Sequence, residues 1–139
     1  DPEGLYTTGL LILRQTVRDF VMNEQEISQR TAVFKALSDS NRLRIFAELM
    51  AGDTCNCELK EKLGLAPNLL SHHLKVLESV GLVSSRRDVV DGRWIYYAAN
   101  REAVAQWHGW LNVFFNPSRI QSRTLCGPEG ELITAVELR

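Results

Sequence analysis

Along this chain the apolar positions fall first into helical spacing and then, past residue 81, into alternation. Leu10, Leu13, Val17, Phe20 or Val21, and Ile27 recur at near-helical intervals, which predicts a helix over Leu5 to about Ile27. A second helix follows, with Ala32, Val33, Ala36 and Leu37 on one side. Ser38-Asp39-Ser40-Asn41 breaks it and offers side chains that cap the next helix. Leu43, Ile45, Phe46, Leu49 and Met50 form that third amphipathic stretch, closed by Ala51-Gly52. Glu58 to Leu63 reads as a short helix stopped by Gly64, and Pro67 suits the first turn of another. Leu70, Leu74 and Leu77 give this helix an apolar stripe, and Gly81 ends it. Leu82 to Asp88 and Arg93 to Ala99 then alternate around Asp91-Gly92, a hairpin signal. Asn100 is placed to cap a last long helix carrying Val104, Trp107, Leu111 and Phe114, which Pro117 ends. The tail reads as loop, with a strand candidate near Leu132 to Val136.

A short helix, a glycine turn, a second helix and a two-stranded ribbon describe a mainly α fold with a small β-hairpin, the winged helix-turn-helix. The expected division is an N-terminal dimerisation helix (1–30), a winged helix-turn-helix core (31–100), a C-terminal dimerisation helix (101–116) and a tail (117–139) holding Cys126. The apolar faces of the first and last helices exceed what a small monomer covers, so a homodimer is expected.

Composition narrows the function classes. With 139 residues, 45% of them hydrophobic, the chain can build a core. The run Leu10 to Leu13, followed by Arg14, is too short for a membrane span or a signal peptide, so no membrane partner and a cytoplasmic location are expected. The net charge of −1 excludes a polycation, yet Lys60 to Arg93 holds six Lys/Arg and two His against four acidic residues. No phosphate loop, paired carboxylates or cofactor fingerprint is present, so an enzyme is not expected.

That basic segment supplies a candidate surface for double-stranded DNA. With Leu70, Leu74 and Leu77 facing inward, Asn68, Ser71, His72, Lys75 and also His73 fall near the outer face of their helix. Such polar side chains hydrogen-bond base edges or phosphates when the start of a helix enters the major groove. Arg86, Arg87 and Arg93 on the ribbon are placed to contact backbone or minor groove. On charge alone the segment also fits an ordinary solvated face; the whole arrangement favours nucleic acid.

The stretches Lys35 to Leu49, Cys55 to Val83 and Arg86 to Asn100, about half the chain, resemble the ArsR/SmtB family of metalloid-responsive repressors. The resemblance implies a homodimer, an operator with inverted half-sites, and release of DNA when an inducer binds. Ser40-Asn41 stands where the family often has Pro-Thr.

The cysteines bear on the inducer. Cys55-Asn56-Cys57 lies at the start of a helix, where the dipole favours thiolate, the form that binds soft metals. A Cys-x-Cys pair can equally be two small buried hydrophobes. The resemblance assigns the pair the inducer site, although Asp53-Thr54 and Asn56 depart from the usual residues. It implies trivalent arsenic (arsenite) or antimony, which favour three sulfurs. The third thiol that some members carry three residues after the pair is replaced here by Lys60, which leaves Cys126, from the same or the partner subunit, or no third ligand. Cadmium, lead or zinc on Cys55, Cys57 and Cys126, and thiol oxidation at the same cysteines, are the alternatives. The C-terminal helix offers His108 and Glu102 but lacks the Asp-x-His start of the family's zinc site, so zinc is not expected there.

Overall fold

Capping side chains set where the helices begin. Asn23 is extended and its Oδ1 accepts the Glu26 amide at 2.8 Å, starting α1 (Glu24–Leu37). Asp39 does the same for α2 (Ser40–Ala51), accepting the amides of Asn41 and Arg42 at 2.9 and 3.1 Å. Then follow β1 (Thr54–Cys55), α3 (Asn56–Leu63), α4 (Pro67–Ser79), β2 (Val83–Arg87), β3 (Ile95–Ala99), α5 (Arg101–Phe114) and a 3-10 turn at Pro117–Arg119. The structure, a computed structural model, describes residues 20–122 and 126–128. The fold is the expected mainly helical winged helix-turn-helix, with a small antiparallel sheet.

The chain divides into two units, Val21–Trp110 and Asp1–Phe20 with Leu111–Arg139. The first holds the winged helix. Val33 and Ala36 of α1, Ile45 and Leu49 of α2, Leu59 of α3 and Leu70, Leu74 and Leu77 of α4 meet Leu82, Val83 and Tyr97 in one core. In the second unit Arg119 lies 4.3 Å from the Phe20 ring centre and donates to the Phe114 carbonyl at 2.8 Å.

Several boundaries differ from the sequence expectation. The helix expected over Leu5 to Ile27 lies largely outside the described residues, and its described end is not helical: residues 20–23 are irregular. Ile27 belongs instead to α1, because Asn23 caps a new start there. The short helix begins at Asn56 instead of Glu58, with Cys55 at its N-cap. Gly64 ends it at φ 62°, a left-handed conformation suited to glycine. The last helix stops at Phe114, before Pro117, which opens the 3-10 turn. Leu132 to Val136 lies outside the described residues.

The ribbon is shorter than the alternation suggests. The strands are β2 and β3, joined by residues 88–94, so Arg93 lies in the loop, held by its bonds to Asp91. A third strand, β1, was not expected. The sheet order is β1-β3-β2, which puts β3 in the centre, with Cys55 opposite Tyr96 on one side and Arg86 opposite Tyr96 on the other.

Candidate nucleic-acid interface and thiol pair

Helix α4 buries Leu70, His73, Leu74 and Leu77, positions i, i+3, i+4 and i+7. The opposite face therefore carries Asn68, Ser71, His72 and Lys75, again at i, i+3, i+4 and i+7, and all four are exposed. Sequence spacing thus becomes a continuous polar stripe along the first two turns of the helix. Its charge and hydrogen-bonding groups suit base edges and phosphates.

His73 does not join that stripe. It is 5% exposed, and its Nδ1 accepts from the Arg42 guanidinium at 3.2 Å. Arg42 also donates through Nε to the Ala36 carbonyl at 2.6 Å. His73 therefore ties α4 to the first turn of α2 and, through Arg42, to the end of α1. The sequence carried a signal for this: His73 is three residues after Leu70 and four before Leu77, on the apolar stripe itself.

Beyond Val83 the ribbon leaves the core, and Ser84, Ser85, Arg86 and Arg87 are all exposed. The three wing arginines have different surroundings. Arg86 lies 4.5 Å over the Tyr96 ring. Arg87 donates to the Gly92 carbonyl at 2.7 Å. Arg93 is clamped on Asp91 through contacts of 2.8, 3.0 and 3.2 Å. The Arg93 guanidinium and amide hold the Asp91 carboxyl below the usual aspartate range. Asp88 is held low too, first by the Asp91 amide, then by the Val90 amide and the Tyr96 hydroxyl. Burial, then the bond to Asp88, pushes the Tyr96 phenol up.

At the foot of the ribbon sits the thiol pair. Cys55 is buried, in β1, and Cys57 is exposed in the first turn of α3. Between them, Asn56 accepts the Ile95 amide at 3.5 Å, and the Thr54 hydroxyl donates to Glu58. Cys126 is exposed and belongs to the other unit. Among the described residues no three His, Cys, Asp or Glu side chains cluster as a metal site. The donor chemistry of Cys55 and Cys57 fits a thiophilic ion, with one thiol buried and the other exposed. Asn56, Tyr96 and Asp88, which link this segment to the wing, were not found from sequence.

A polar stripe on the second helix of a helix-turn-helix, beside a positively charged ribbon, defines a winged-helix transcriptional regulator. The profile of the "bacterial regulatory protein, arsR family" matches residues 39–85. The arsenical resistance operon repressor of Bacillus subtilis (strain 168) is 42% identical over 72 residues, 51% of this chain and 66% of that protein, just under two thirds of its length. The transcriptional repressor SdpR of the same organism is 32% identical over 84 residues, 60% of this chain and 90% of that protein. HlyU from Vibrio cholerae N16961 superposes with a TM-score of 0.55 at 25% identity, covering 67% of this chain and 98% of that one. The chain belongs to the ArsR family. Its homologues are transcriptional regulators, not enzymes, and helix-turn-helix regulators of this family bind operator DNA. Among the described residues no helix is long and apolar enough to cross a membrane.

Proposed function

We propose that this chain is a cytoplasmic, dimeric repressor that binds an inverted-repeat operator and is released when trivalent arsenic or antimony binds its cysteine thiolates. The observation that carries the reading is the position of Cys55: it faces Tyr96 across the strand that returns from the wing. Asn68, Ser71, His72 and Lys75 read the major groove, while Arg86 and Arg87 add charge to the wing. Dimerisation through residues 1–30 and 101–116 sets the two reading helices about one helical turn apart, as half-sites require.

The link between thiols and DNA is short. Tyr96 donates to Asp88 at 3.2 Å, and Asp88 accepts the amides of Val90 and Asp91 at 2.8 and 3.0 Å. A bound thiophilic ion supplies strong bonds to thiolate sulfur. Bringing Cys55 toward Cys57 shifts β1 against β3, disturbing Tyr96 and the Asn56 contact to Ile95. The wing then loses the geometry its partners hold. An inducer acts only through its preference for the DNA-free form, typically about 1–3 kcal/mol, or roughly 5- to 150-fold.

Operator binding by fluorescence anisotropy, titrated with arsenite, antimonite, cadmium, lead, zinc and peroxide in parallel, tests the proposal. Arsenite or antimonite is expected to release wild-type protein, and Cys55→Ser/Cys57→Ser protein is expected to bind DNA but resist release. Equal release of both proteins refutes the sensor assignment. Cys126→Ser weakens induction only if that thiol completes the site. The alternative, the same cysteines sensing cadmium, lead, zinc or oxidation, is favoured by the exposure of Cys57 and predicts release in those arms instead. A monomer at micromolar concentration by light scattering refutes the dimer.

A further inference from the structure

The tip of the wing is apolar. Val89 and Val90 are 99% and 96% exposed. Polar and small residues usually fill such turns, so two aliphatic side chains bare to water call for a reason. They are not on a loose loop. Asp88 accepts the Val90 and Asp91 amides and the Tyr96 hydroxyl, and Arg87 donates across the turn to Gly92. The two valines are thus presented on a turn pinned from both sides.

Charge at the same tip is largely spent within it. Arg86, Arg87 and Arg93 are set against Asp88 and Asp91, which leaves a single net positive charge. Arg93 already has a carboxylate partner, with its Nε and one terminal nitrogen turned to Asp91. The ribbon springs from the end of the reading helix, where the Leu82 amide donates to the Leu77 carbonyl at 3.1 Å. A helix lying in the major groove is flanked by minor groove, whose walls are deoxyribose edges rich in C–H groups.

We infer that the wing tip engages the operator by apolar contact: Val89 and Val90 seat against the deoxyribose walls of the minor groove, and Arg93 stays with Asp91. The residual positive charge draws the ribbon to the duplex, and the valines make the close contact. Lacking hydrogen-bonding groups, they sense groove width and stiffness, not base identity. This rests on the operator binding proposed above.

The test measures binding of the full chain to its operator across a salt series, with hydroxyl-radical footprinting of the minor-groove sugars. Val89→Ser/Val90→Ser protein is expected to bind about five- to tenfold more weakly at every salt concentration, with an unchanged salt slope. It should also lose protection at the flanks of each half-site. Arg93→Ala protein is expected to keep affinity within about twofold and to keep the slope. Wild-type-like affinity and footprint in the valine variant overturn the inference. So does a slope lowered by about one unit in Arg93→Ala protein, which makes Arg93 a phosphate contact. A valine variant that changes oligomeric state with its footprint intact identifies a surface for a second copy and also overturns it. Failure of the wild-type chain to bind any duplex overturns the repressor reading itself, a result distinct from each of these.

Discussion

Replacing Leu77 and Leu69 by alanine, one at a time, tests which face of α4 is turned outward. Both residues lie on the same helix and lose the same atoms, but Leu77 is 0% and Leu69 42% exposed. At Leu77 the change removes a fully buried side chain from the core cluster. A buried Leu→Ala substitution costs about 3 kcal/mol once the cavity is included. At about 5 °C per kcal/mol for a domain of this size, the Tm falls by roughly 15 °C. At Leu69 partial burial leaves about 1 kcal/mol to lose, with no cavity, and roughly 5 °C. Thermal unfolding followed by helical circular dichroism, at one protein concentration because assembly also shifts Tm, gives the comparison. Leu77→Ala protein held well below its Tm is expected to keep operator specificity, since the outward stripe is untouched. Equal destabilisation by the two changes means that the helix is rotated about its axis from the position described. Asn68, Ser71, His72 and Lys75 would then lose their claim to the DNA face.

Other expectations concern caps and carboxylates. Asn23→Ala removes the Glu26 amide's partner and should cost about 1 kcal/mol by chemical denaturation. At Gly64 an added Cβ meets nothing within 4 Å, so Gly64→Ala should cost only the left-handed backbone penalty, about 1 kcal/mol. Asp39, Asp88 and Asp91 are all held below the ordinary aspartate value of 3.8, so their contribution is complete above that pH. It is lost as pH falls through their lower folded values; the Val90 and Asp91 amide NMR signals should therefore titrate with a midpoint below 3.8. A midpoint at or above 3.8 contradicts the carboxylate-pinned turn.

What the sequence revealed, and what it hid, follows the range of the interactions. Leu70, Leu74 and Leu77 repeat within one helix, so α4 and its polar face were legible from periodicity. The ribbon was legible from alternation between Leu82 and Ala99. The helix start at Asn23 was missed because apolar spacing runs on through Phe20 or Val21 to Ile27, although Asn23 followed three residues later by Glu26 is a capping signature. Strand β1 has two residues, too few to show a period, and exists through pairing with residues more than forty positions away. The polarity of His73 alone points it to the outer face. Its partner Arg42 is 31 residues away, a contact no local pattern reports. Asn56 and Ile95, 39 apart, were hidden in the same way.

The contact between Arg42 and His73 also fixes a proton. A guanidinium only donates, so Nδ1 must present its lone pair and, on the neutral ring, the hydrogen sits on Nε2. That Nε2 is buried and makes no hydrogen bond among the described residues. Imidazole N–H groups normally exchange with water too fast to observe, and enclosure slows them. The ring therefore works as a spectroscopic gauge on the inner side of the reading helix. Its nitrogen-15 shifts and exchange rate report how firmly α4 is seated, without any label touching the outward polar stripe, and can be followed with and without duplex DNA or arsenite.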